Sequence, residues 1–71
     1  MFELDVRGLS CPIPVVRTQK AIEEHPKEEL MVMVDTAVSR ENVSRLAHSK
    51  GYEVSIEAAG SDFRLRLTPS G

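Results

Sequence analysis

The sequence predicts an α+β fold: a βαβαββ two-layer sandwich in which a four-stranded mixed sheet carries two helices on one face. Three observations lead there. Apolar residues alternate with polar ones near both ends of the chain, the period of a half-buried strand. Between those stretches the period lengthens twice to that of an amphipathic helix. A continuous apolar run, Leu30 to Val34, separates the two helical patterns, as expected of a central strand covered on part of both faces.

Phe2, Leu4 and Val6 alternate with Glu3 and Asp5 and form the first strand. Arg7-Gly8-Leu9-Ser10 breaks the pattern with a flexible glycine. From Pro12 to about Glu24 a helix places Pro14, Val15, Thr18, Ala21 and Ile22 on its core face. Pro12 and Pro14 are tolerated because first-turn N–H groups have no partner inside the helix. His25-Pro26 ends that helix, since a residue before proline is pushed out of the α region. After the apolar strand, Ser39 is the expected N-cap of a second helix. Val43, Leu46 and Ala47 form its apolar stripe, edged by the stem of Lys50, and Gly51 closes it. Tyr52, Val54, Ile56 and Ala58 alternate as a third strand. Ala59-Gly60-Ser61-Asp62 turns the chain, and Phe63, Leu65 and Leu67 alternate as a fourth. Pro69-Ser70-Gly71 reads as a tail. Strands joined through helices are expected to run parallel with right-handed connections, and the last two strands to form an antiparallel hairpin. Two helices suffice to cover one side of such a sheet.

With 71 residues the chain is expected to form one domain, 1–71, of a size that also suits one domain of a longer protein. A single cysteine excludes an internal disulfide, and no metal-ligand cluster or cofactor motif is visible, so packing must hold the fold. The 41% hydrophobic content is adequate for that. No apolar run reaches membrane-spanning length and no secretion signal is seen; an unpaired thiol then points to the reducing cytoplasm. A net charge of −2 and three scattered aromatic residues argue against direct nucleic-acid binding, with Arg64 and Arg66 on the fourth strand its local support.

Cys11 is placed at or just before the start of the first helix, where partial positive charge favours thiolate over thiol. Pro12 and Pro14 supply no N–H, leaving mainly the donors of Ile13 and Val15, so the acidity gained is modest while the rigid rings fix where the sulfur points. Arg7 is a nearby source of positive charge. Opposite the core face, Ile13, Val16, Arg17 and Lys20 cluster, two apolar residues beside two cations. They suit either a protein-docking surface or an ordinary helix edge. For Cys11 two readings stand together, an inert small apolar residue and a reactive thiol. A lone cysteine cannot run an internal dithiol cycle. A Cys–His hydrolase needs a positioned base, yet His25 lies about 21 Å away by helical rise, and His48 shares a polar helix face with Glu41 and Arg45. What remains for a solitary exposed thiolate is to accept a group from one partner and deliver it to another.

The stretch Leu4-Asp5-Val6-Arg7-Gly8-Leu9-Ser10-Cys11-Pro12-Ile13-Pro14-Val15 resembles the TusA/SirA-like sulfur-carrier family, with Cys-Pro-x-Pro after a Gly-Leu turn. The βαβαββ order is that family's fold, so the resemblance covers essentially the whole chain. Val34-Asp35-Thr36, Glu41-Asn42-Val43 and Lys50-Gly51-Tyr52-Glu53-Val54 look most like the N-terminal domain of YedF-type proteins. The resemblance implies that Cys11 takes sulfane sulfur as a persulfide from a donor protein, a cysteine desulfurase or rhodanese-like protein, and relays it to an acceptor protein. It implies that Gly8, Pro12 and Pro14 shape the site. The chain departs from many relatives at Ile13, where Glu or Gln is common, and at Val38-Ser39-Arg40, where tRNA-thiolation members carry an acidic loop. The competing expectation is a regulatory or protein-interaction domain in which Cys11 is structural.

Overall fold

A computed structural model describes residues 2–10 and 12–70; Cys11 lies outside the described residues. The element order is β1 (Phe2–Asp5), α1 (Ile13–Glu24), β2 (Leu30–Val34), α2 (Ala37–Ser49), β3 (Tyr52–Ala59) and β4 (Asp62–Pro69). The sheet is mixed, in the order β1-β2-β4-β3. β1 and β2 pair in parallel, while β4 is antiparallel to both β2 and β3. The α+β sandwich read from the periodicity is therefore the observed fold. β3 runs in the direction of β2, as a strand reached through a helix should, but β4 is inserted between them.

The core lies between the sheet and the helix pair. Alternate residues Leu30, Val32 and Val34 of β2 and Leu65 and Leu67 of β4 are fully shielded, and α2 sets Val43 and Ala47 against them. These two strands are central, so each has a neighbour on both sides as well as a helix above. The edge strands are less protected. Phe2 and Leu4 of β1 are half-buried, and along β3 burial fades from Tyr52 to Ile56, which is 48% exposed. Ile56 and Ala58 keep the alternation expected of them, yet the helix layer does not cover them. Met31 and Met33 occupy the open face of β2, half-buried among the strands to either side.

Local chemistry explains the element limits. Thr36, not Ser39, caps α2: its hydroxyl accepts the Ser39 N–H at 3.0 Å, and Ser39 is already inside the helix and buried. Lys50 is the C-cap residue and exposed, so its stem is not part of the buried stripe. Gly51 follows at φ 82°, the left-handed conformation that glycine adopts without strain. Pro69 and Ser70 are not a free tail. Pro69 pairs with Tyr52 at the end of β4, and Ser70 donates both its N–H and its hydroxyl to the Gly51 carbonyl.

Candidate functional site

Because β1 and β2 are parallel, both helices leave the same end of the sheet and run back across it side by side. Residues 6–10, 12–14 and 35–38 thus form one end of the molecule. Val6 is buried and donates its N–H to the Met33 carbonyl at 3.0 Å, which extends the β1 anchorage by one residue. Gly8 then turns the chain at φ 77°, a conformation that costs any side-chain-bearing residue free energy. Leu9 packs half-buried against the core.

The turn is held by carboxylates from three places in the chain. Asp35, at the end of β2, accepts the Gly8 N–H at 2.9 Å. Asp5 accepts the Arg7 backbone N–H at 3.0 Å and receives two guanidinium nitrogens at 2.9 and 2.8 Å. Asp62, at the start of β4, receives the third guanidinium nitrogen at 3.1 Å. The side-chain and backbone hydrogen bonds from Arg7 hold the Asp5 carboxyl down at about 2, and the same contacts raise the Arg7 guanidinium pKa. Arg7 is thereby committed to two carboxylates. Its charge is offset within the turn, where it ties β1 to β4.

Helix α1 begins at Ile13 with Pro12 as its N-cap residue and no side-chain cap. The Ile13 N–H, expected above to be free for the sulfur, donates instead to the Ser10 carbonyl at 2.9 Å. With Pro12 and Pro14 lacking an N–H, the helix entry offers fewer donors than the sequence suggested. Pro14 is fully buried. One turn on, the shielded Thr18 hydroxyl donates to the Pro14 carbonyl at 2.8 Å, so a polar side chain sits in the core with its hydrogen bond made. The opposite side of α1 is open: Ile13 is 40% and Val16 57% exposed, with Arg17 and Lys20 exposed beside them.

Two further residues contribute to this end of the molecule, and sequence reading missed the second. Val38, in the first turn of α2, is 62% exposed and adds a third uncovered apolar side chain. Asp62 reaches the turn from 55 residues away. No pattern in the sequence couples it to Arg7. No group of three or more potential metal ligands is gathered among the described residues, and no helix is long and apolar enough to cross a membrane.

Fold and site together define a small α+β domain whose conspicuous end is a proline-shaped helix entry beneath a carboxylate-anchored turn. Residues 2–68 match the family model described as Sulfurtransferase TusA, and the chain belongs to that family. It is 45% identical over 67 residues to a candidate sulfur carrier protein of Methanocaldococcus jannaschii, covering 92% of this chain and 89% of that one. A candidate sulfur carrier protein of Thermotoga maritima is 41% identical over 67 residues, covering 90% and 85%. The crystal structure of a SirA-like protein from Desulfitobacterium hafniense superposes with a TM-score of 0.88 at 30% identity, over the full length of both chains. The chain is therefore a candidate sulfur carrier protein of the TusA/SirA-like family.

Proposed function

We propose that this chain carries sulfane sulfur on Cys11 and relays it between two proteins. In the first step the Cys11 thiolate attacks the terminal sulfur of a donor's persulfide. The donor's S–S bond breaks, its cysteine leaves as thiolate, and Cys11–S–SH forms. In the second step a nucleophile on the acceptor takes the terminal sulfur and Cys11 departs as thiolate. Each transfer exchanges one bond to sulfur for another, so the carrier itself needs no cofactor or metal. The observation that carries this reading is membership of the TusA family together with the Cys-Pro-x-Pro sequence at the start of α1.

The proposed roles follow from the surroundings. Gly8 provides the turn that delivers the chain to α1, and Pro12 and Pro14 set the path of the backbone on either side of Ile13. Ile13 and Val16, with Arg17 and Lys20, form the surface on which a cysteine desulfurase or rhodanese-like donor, and then an acceptor, would dock. The scarcity of first-turn donors favours presentation of the sulfur over strong acidification as the main task of this entry. The reading places the protein in the cytoplasm, where a lone thiol stays reduced.

Mass spectrometry tests it. Incubation with a desulfurase and cysteine should add about 32 Da, one persulfide sulfur, and reductant should remove it. Cys11→Ser should take up nothing. Absence of any adduct on the wild-type protein with several sulfane-sulfur donors would overturn the proposal.

A further inference from the structure

On the side of the sheet opposite β1, the molecule has a long sheet edge beside a groove lined by two arginines. β3 is an edge strand of eight residues, paired to β4 without interruption from Tyr52 to Ala59. Edges of this kind are normally blunted by shortness, a bulge, a proline or an edge lysine. The opposite edge, β1, is blunted in the first way, with four residues. β3 is neither short, bulged nor interrupted by proline or lysine, and its charged side chains, Glu53 and Glu57, lie on the face away from the helices. On its helix side Ile56 is 48% exposed and forms one wall of a groove of about 360 Å³, whose other wall is α2.

The α2 wall has a matching repeat. Arg40, Ser44 and His48 follow one another at four-residue intervals along the groove, with Glu41 and Arg45 beside them. Four residues of helix rise about 6 Å, close to the roughly 6.5 Å between alternate side chains of an extended strand. A strand added along β3 would therefore bring each second side chain opposite a successive position of α2. The side chains it would meet are prepared for acceptors. Arg40 stacks its guanidinium over the Phe63 ring at 4.8 Å, which holds it at the hairpin end of the groove. No ion pair among the described residues engages Arg40 or Arg45. The Ser44 hydroxyl oxygen is shielded and has no hydrogen-bond partner.

We infer that the β3 edge is a strand-addition site for an extended segment of a partner protein bearing acidic side chains at alternate positions. Main-chain hydrogen bonds to β3 supply the binding, and the α2 cations with Ile56 select the side chains. On the other face of the added strand, Glu53 of β3 disfavours an acidic neighbour, while Glu57 is paired with Arg64 at 4.0 Å, so the acid preference belongs to the α2 side alone. The net charge of −2 disfavours RNA. A second copy of the chain is the poorer occupant too, because antiparallel β3 pairing would set the Arg40 and Arg45 side chains of two α2 helices side by side.

The probe is a synthetic peptide of about ten residues, long enough to span β3, alternating glutamate with threonine. Its control has the same composition with the glutamates in one block. Two-dimensional amide NMR of the full chain should show saturable shifts over 40–48 and 52–59 with the alternating peptide and weaker binding of the control. Arg45→Glu and Ile56→Lys, both at exposed positions and checked for native spectra, should each weaken binding about fivefold or more. Cys11→Ser should bind like wild type, which separates this edge from the proposed sulfur relay. Equal binding of the block peptide, binding unmoved by both variants, displacement by oligouridylate, or a dimer abolished by Ile56→Lys would each overturn the inference.

Discussion

The two helices start at the same end of the sheet, yet their first turns are built by different means. α2 is capped locally: Thr36 accepts the N–H of Ser39, three residues on. α1 has no side-chain cap, begins between two prolines, and is preceded by a turn fixed through Asp35 and Asp62, which lie 27 and 55 residues from their partners. A local cap stabilises a helix by occupying the space at its N-terminus. Distant anchors fix the incoming chain and leave that space to something else. In a chain proposed to present a reactive sulfur at α1, the second arrangement is the useful one.

The largest change to this contrast should come from Pro14→Ala. Removing two buried methylenes costs about 1.6 kcal/mol. The greater freedom of the unfolded chain raises the loss to about 2 kcal/mol, measurable by urea denaturation. The same change returns an N–H to the first turn. The pH profile of Cys11 alkylation should then shift to lower pH, whereas an unmoved profile would show that proline has no part in setting sulfur acidity. Thr36→Ala should cost about 1 kcal/mol, with Thr36→Ser recovering most of it. Because α2's cap is local, this variant should leave the Cys11 alkylation rate unchanged.

The parts of this contrast differ in how far sequence reveals them. Element order and the core face of α1 were legible because Pro14, Thr18, Ala21 and Ile22 recur at helical spacing, and all four are buried. The cap of α2 was misread by three residues. Thr36 and Ser39 are both good capping residues, and the choice rests on whether Ala37 and Val38 are already helical, which packing against the sheet decides. Ile56 carries the right period for a core strand but lies on an edge that α2 leaves half open. That depends on β4 lying between β2 and β3, a strand order that no periodicity encodes. Cys-Pro-Ile-Pro could be read directly. The commitment of Arg7 to Asp5 and Asp62 could not, because its second partner comes from the far end of the chain.

Asp62→Asn probes the distant anchor and should have a small energetic effect, since the ion pair with Arg7 is largely solvated. Its signature should be local. Amide exchange at Gly8 and Leu9 should quicken while the rest of the sheet is unaffected; unchanged exchange there would mean that Asp35 and Leu9 hold the turn alone.

The smallest effect, and the sharpest test of how the turn is held, is its response to acid. Asp5 is held at about 2, below its ordinary value of 3.8, by hydrogen bonds from Arg7. A carboxylate with a depressed folded-state pKa contributes stability that is fully present above its unfolded value. That contribution is lost as pH falls through the folded value. The Arg7–Asp5 contact should therefore survive acidification to about pH 3 and release as the pH approaches 2. The carboxyl carbon shift of Asp5 reports this directly, and Arg7→Gln should return its titration toward 3.8. If Asp5 already titrates near 3.8 in the wild-type protein, Arg7 is not held as described and the turn rests on Asp35 and Leu9. The α1 entry would then depend on one carboxylate instead of three, and its contrast with the locally capped α2 would narrow.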